Sequence, residues 1–118
     1  MPESALKIKS YAFALRIIKL YQFLHKEEKE YVLSKQILRS GTAIGALISE
    51  AKFGQSKADF ISKMNIALKE ANETDYWLSL LKDSNYIDSK SYKSLASDIN
   101  ELISMLVATV KTLRKQNS

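Results

Sequence analysis

The stretch FISKMNIALKEANETDYWLSLL, residues 60–81, decides the fold class. Phe60, Met64, Ala67, Ala71, Thr74, Leu78 and Leu81 step by four and three in alternation. That spacing lays one narrow apolar seam along a helix, ready for partner helices. Trp77, Leu80 and Ile87 widen the seam toward its C-terminal end. Just upstream, Ser56 is placed to cap this helix, with Asp59 in its first turn in a pattern close to a capping box. The helix is predicted over residues 57–84.

Working outward, DSNYIDS at 83–89 is a turn that offers Asp88 or Ser89 as the next cap. A fourth helix, predicted over 89–115, repeats the seam through Tyr92, Leu95, Ile99, Leu102, Leu106 and Leu113, broadened by Ile103 and Val110. Upstream, a helix is predicted over 32–53, with Gly54 suited to its end because glycine adopts the left-handed conformation cheaply. KEEKEY at 26–31 reads as a solvated, charged connection. The first helix is predicted over 5–25. Its apolar residues (Leu6, Tyr11, Phe13, Leu15, Ile17, Ile18, Leu20, Phe23 and Leu24) cover well over half its circumference, leaving a narrow stripe for Lys9, Arg16 and Lys19. A helix apolar over so wide an arc is expected to touch more than one neighbour. The only proline is Pro2, so nothing interrupts these helices. Four helices with short connections predict one all-α domain over 1–118, an antiparallel up-down-up-down four-helix bundle.

Composition excludes several functions. The chain has no cysteine, which removes disulfides, thiolate metal sites and cysteine nucleophiles. No segment reads as a signal peptide or a membrane span, and a cytoplasmic protein is expected. The net charge of +5 is moderately basic and compatible with a polyanionic partner without requiring one.

RSGTAIGALISEA at 39–51 holds two of the three glycines, Gly41 and Gly45, inside a predicted helix. Each costs about 1 kcal/mol against alanine there and needs a compensating gain. A phosphate-binding loop is excluded by the three-residue spacing, the missing Lys-Ser/Thr and the absence of a preceding strand. Close helix packing is the better reading, with Ser40, Gly41, Ala43, Gly45, Ala46 and Ser49 making one long side small and Ile37, Ile44, Leu47 and Ile48 beside it. The strip either receives large side chains of helix 1 or 3 within one bundle or helps form a subunit interface. The wide apolar arc of helix 1 favours the interface.

No catalytic, cofactor or metal site is predicted. His25 is the only histidine and suits the C-terminus of helix 1. A di-iron bundle needs two Glu-x-x-His motifs, and Gln22-Phe-Leu-His25 lacks the carboxylate. Glu70 and Glu73 share a face, Asp75 points elsewhere, and all three are expected to be solvated or paired with nearby cations.

Glu30-Tyr31, Leu33, Gln36-Ile37, Arg39-Ser40, Ile44, Ile48, Glu50, Ser56, Phe60, Ile66-Ala67, Glu73 and Asn85-Tyr86-Ile87 resemble the four-helix-bundle proteins of the 23S rRNA-intervening sequence family. The likeness runs over about residues 11–113. The family's Asn-Ile-Ala-Glu-Gly near the end of helix 2 is replaced here by Leu47-Ile48-Ser49-Glu50-Ala51, so only Ile48 and Glu50 match. The resemblance implies a homopentamer of antiparallel bundles with a central channel. It also implies a bacterial protein without established enzymatic activity, related to basic accessory proteins of retroelement reverse transcriptases. Glu50 and Glu73, which match the family, are expected to make buried polar contacts, with Arg39 as a candidate partner. Together with Gly41, Gly45, Ile44 and Ile48 they form the predicted packing or interface set.

The basic residues are the remaining functional material. Lys9, Arg16 and Lys19 on helix 1, with Lys35 and Arg39 on helix 2, are the predicted nucleic-acid contacts. Lys7, Lys111, Arg114 and Lys115 add charge near the termini, but the start of helix 1 and the end of helix 4 are expected at opposite ends of the bundle. No base-reading motif is present, so RNA would be bound electrostatically and with little sequence preference. The alternative is a homo-oligomeric scaffold for a partner protein that binds no nucleic acid.

Overall fold

The computed structural model describes residues 2–53 and 56–117, with side chains from Ala5 to Gln116 within those spans. Four helices follow in order, α1 (Pro2–Lys26), α2 (Leu33–Ala51), α3 (Lys57–Asp83) and α4 (Ser89–Asn117). Each packs against its sequence neighbours, and α4 closes back onto α1, giving an elongated bundle of about 48 × 22 × 20 Å. α1 starts earlier than the apolar pattern suggests, because proline is tolerated in a helix's first turn. α2 stops at Ala51, two residues short of the predicted end, and Gly54 lies outside the described residues.

The seams close the core. Met64, Ala67, Ala71, Thr74, Leu78 and Leu81 of α3 are buried, facing Ile37, Ile44 and Ile48 of α2 and Leu95, Ile99, Leu102 and Leu106 of α4. On α1 the buried face is Leu6, Ser10, Phe13, Ile17, Leu20 and Leu24. The two glycines of α2 both face α1. A Cβ on Gly41 would lie 2.9 Å from Cγ1 and Cγ2 of Ile17, whereas one on Gly45 would meet Ser10 atoms at 3.4–3.5 Å. The small residues do not form one side of α2, however. Ser40 turns to α3, where its hydroxyl lies 2.9 Å from that of Thr74, and Ala46 is exposed. A turn of 3.6 residues per cycle spreads six positions between 40 and 49 around the helix rather than along it.

The helix ends have specific causes. Ser56 accepts from the Asp59 N–H at 3.1 Å and Asp88 from the Ser91 N–H at 2.7 Å. α3 ends in a Schellman motif. Asn85 takes φ 66°, its N–H donates to the Lys82 carbonyl, and the Tyr86 N–H donates to that of Leu81. The connection at 26–31 is not merely solvated. Glu30 is buried, and its carboxylate accepts from the N–H groups of Val32, Leu33 and Ser34 at 2.7–3.2 Å. These are orphan donors of the α2 N-terminus, and a carboxylate there also faces the positive end of the helix dipole. Burial works to raise the Glu30 carboxyl, but the backbone hydrogen bonds from Leu33, Ser34 and Val32 outweigh it and hold it below its ordinary value.

Candidate nucleic-acid interface

Three of the five predicted contacts are spent on holding helices together. Lys9 pairs with Glu101 at 2.8 Å, and Arg16 donates to Asp98 at 2.6 Å and to the Ser94 hydroxyl at 2.8 Å, joining α1 to α4. Arg39 forks across Glu70 at 2.7 Å and Glu73 at 2.5 Å, joining α2 to α3. The Arg39 hydrogen bond holds the Glu73 carboxyl below its usual range, against partial desolvation, and Trp77 Nε1 donates to the same oxygen at 3.2 Å. Lys19 lines an open groove of about 1030 Å³ between α1 and the start of α4, and Lys35 is exposed on the first turn of α2. These five cations do not converge on one surface.

The remaining charge lies elsewhere. In an up-down-up-down bundle the start of the first helix and the end of the fourth share one end, which corrects the opposite-ends expectation. Lys7 of α1, Lys52 beyond α2 and Phe60 of α3 line one small cavity, and Arg114 of α4 lies 3.4 Å from Asn65 of α3. That end comprises residues 2–9, 50–53, 56–63 and 111–117. These segments hold eight Lys and Arg (Lys7, Lys9, Lys52, Lys57, Lys63, Lys111, Arg114 and Lys115) against three acidic residues, Glu3, Glu50 and Asp59. The rest of the chain balances ten against ten. Glu101 of α4, paired with Lys9 at 2.8 Å, adds a fourth carboxylate at that level, so that end carries +4 of the formal excess of +5. Sequence reasoning named Lys7, Lys111, Arg114 and Lys115 but missed Lys52, Lys57 and Lys63. Summing charge by bundle end, with the topology correctly traced, finds them.

Other predicted residues resolve individually. Glu50 is exposed rather than buried, and its neighbour is Lys63 at 3.7 Å, not Arg39. It sits on the outward face near the α2 C-terminus, where water solvates it. Ile44 and Ile48 are buried in the core of the chain. His25 lies between the rings of Tyr21 and Tyr31, with centroids 5.0 and 4.6 Å away. No group of three or more carboxylates or histidines able to hold a metal occurs among the described residues. No described helix is long and apolar enough to cross a membrane.

One further surface stands out. Ile8, Tyr11, Leu15 and Ile18 step by three and four along α1 on the side away from the core, with exposures of 69%, 67%, 48% and 37%. Nothing among the described residues covers them. α1 is thus apolar on two sides, one buried and one open.

The sequence profile of the 23S rRNA-intervening sequence proteins matches residues 4–108. The chain belongs to that family. A crystal structure of a protein of unknown function from the S23 ribosomal protein family of Bacteroides thetaiotaomicron VPI-5482 is 55% identical, with a TM-score of 0.93. The similarity covers 94% of this chain and 99% of that one. No protein of curated function matches. Membership in the 23S rRNA-intervening sequence family fits the four-helix architecture, and the family is not a known enzyme family.

Proposed function

We propose that this member of the family is a non-catalytic, cytoplasmic homo-oligomer that binds RNA electrostatically through its basic end. The observation that carries the reading is the gathering of most of the +5 excess at that end, while Arg16 and Arg39 along the bundle are paired with carboxylates. Among the described residues no carboxylate pairs with Lys7, Lys52, Lys57 or Lys111. Unpaired cations gathered on one surface attract phosphates and release condensed counterions on contact. The outer stripe of α1 supports assembly, because a contiguous exposed apolar row marks an interaction surface. A ring of five, as the family resemblance implies, has cyclic symmetry, so the five basic ends occupy equivalent positions around its axis. Five copies at +5 would give that ring about +25 in formal charge.

The test is a titration of a labelled structured RNA across a salt series. Binding whose logarithm falls linearly with the logarithm of salt supports a multi-phosphate contact. Absence of binding at low salt leaves the second reading, a scaffold for a partner protein. That reading is favoured by the groove beside Lys19, whose apolar wall of Leu20, Phe23, Ile87 and Leu95 suits a protein side chain.

A further inference from the structure

Phe53 is 82% exposed, more than the other exposed large hydrophobics of the bundle. It follows α2 at the tip of the basic end, with its N–H bonded to the Glu50 carbonyl at 3.0 Å. Lys52 precedes it and Lys57 opens α3 four residues later. Lys7 reaches the same end, lining a cavity with Lys52. The ring thus projects into solvent from the most cationic region of the chain, and nothing among the described residues packs over it. An exposed aromatic face flanked by cations is the arrangement that holds single-stranded nucleic acid, the ring stacking a base and the cations holding the phosphates on either side. Duplex RNA offers no base face to such a ring, since its bases are already stacked and its deep groove excludes side chains.

We propose that Phe53 is a stacking platform for an unpaired base, with Lys52, Lys57 and Lys7 holding the adjoining phosphates. This rests on the reading of the basic end as the RNA-binding surface. It adds that the preferred RNA is a single-stranded segment, a loop or an end. Every base has a π-face, so the contact is tolerant of sequence.

The experiment compares a short labelled oligoribonucleotide, single-stranded and as a duplex, against wild type, Phe53→Ala and Phe53→Tyr across one salt series. Phe53→Ala is expected to weaken single-strand binding roughly 5- to 100-fold, leave the duplex unchanged and keep the salt slope. Phe53→Tyr restores binding because it keeps the ring. In a Trp77→Phe background, Phe53→Trp places the only indole at the tip, and stacking should quench its fluorescence on addition of the single strand. Unchanged affinity of Phe53→Ala with the lysines still required overturns the stacking role and leaves the basic end intact. Equal losses for single strand and duplex, or a changed assembly mass in Phe53→Ala, also overturn it. Failure of wild type to bind either RNA instead sinks the RNA reading itself.

Discussion

Alanine at the two glycines of α2 should have opposite effects. Both substitutions gain helix propensity, worth about 1 kcal/mol at an interior position. At Gly45 the new methyl finds ordinary van der Waals distances to Ser10, so the gain survives. Gly45→Ala is expected to be neutral or stabilising by about 0.5–1 kcal/mol. At Gly41 the methyl would sit 2.9 Å from two carbons of Ile17, which is fully buried and β-branched. Ile17 is stiff at χ1 and has no open space to turn into, so α1 and α2 must separate. Overpacking of this kind costs about 1–3 kcal/mol, leaving a net loss of up to about 2 kcal/mol after the propensity gain. For a domain near this size that is a fall in Tm of up to roughly 10 °C. Urea denaturation followed by circular dichroism, at one fixed protein concentration because assembly adds to stability, reads both variants. Ile17→Ala provides the control. Alone it should cost about 2–5 kcal/mol, but combined with Gly41→Ala the loss should fall well below the sum, because the new methyl occupies vacated space. A Gly41→Ala variant as stable as Gly45→Ala, or strict additivity in the cycle, would refute the close contact.

Glu30→Gln is expected to cost about 1–2 kcal/mol at neutral pH by weakening charge-assisted bonds to the α2 N-terminus. Because the folded carboxyl lies below its unfolded value, this contribution is present above roughly pH 4.3 and is lost as pH falls through the folded value. The stability gap to wild type should therefore close in acid. Arg39→Ala leaves Glu70 and Glu73 facing each other and should cost about 1 kcal/mol, less at high salt. Adding Glu73→Gln should recover part of it in the same denaturation assay. Leu15→Glu, in the centre of the outer α1 stripe, should lower the assembly mass in sedimentation while leaving helix content unchanged. An unchanged mass would exclude that stripe as the subunit interface.

The fold was legible because its signals are local and periodic. The seam at residues 60–81 and the Ser56 and Asp88 caps are each set by neighbours within one or two turns. Gly41 marked a close approach from sequence alone, but not that Ile17 approaches it, since that depends on helix rotation. Glu30 was misread because a carboxylate in a run of charges looks solvated. Its burial follows only from how the chain leaves α1 through Lys29 at φ 55°. Charge was least legible. Arg16, Lys19, Lys35 and Arg39 look alike as letters, yet Arg16 and Arg39 are neutralised by carboxylates 31 to 82 residues away in sequence. Lys52 and Lys57 stand apart from Lys111 along the chain, and the shared end of the bundle becomes visible only when the helix directions are traced.

If the basic end is the RNA contact, neutralising it must change how binding responds to salt. The direct measurement is the salt slope of RNA binding for two fourfold neutralised chains. One carries Lys7→Gln, Lys52→Gln, Lys57→Gln and Lys111→Gln. The other carries Arg16→Gln, Lys19→Gln, Lys35→Gln and Arg39→Gln. Each phosphate contact contributes about 0.7–0.9 to the slope. The first chain is expected to lose about three units per bound protomer and most of its affinity, while the second keeps the wild-type slope when compared at matched folded fraction. A slope that falls in the second chain and survives in the first would place the RNA contact away from the basic end.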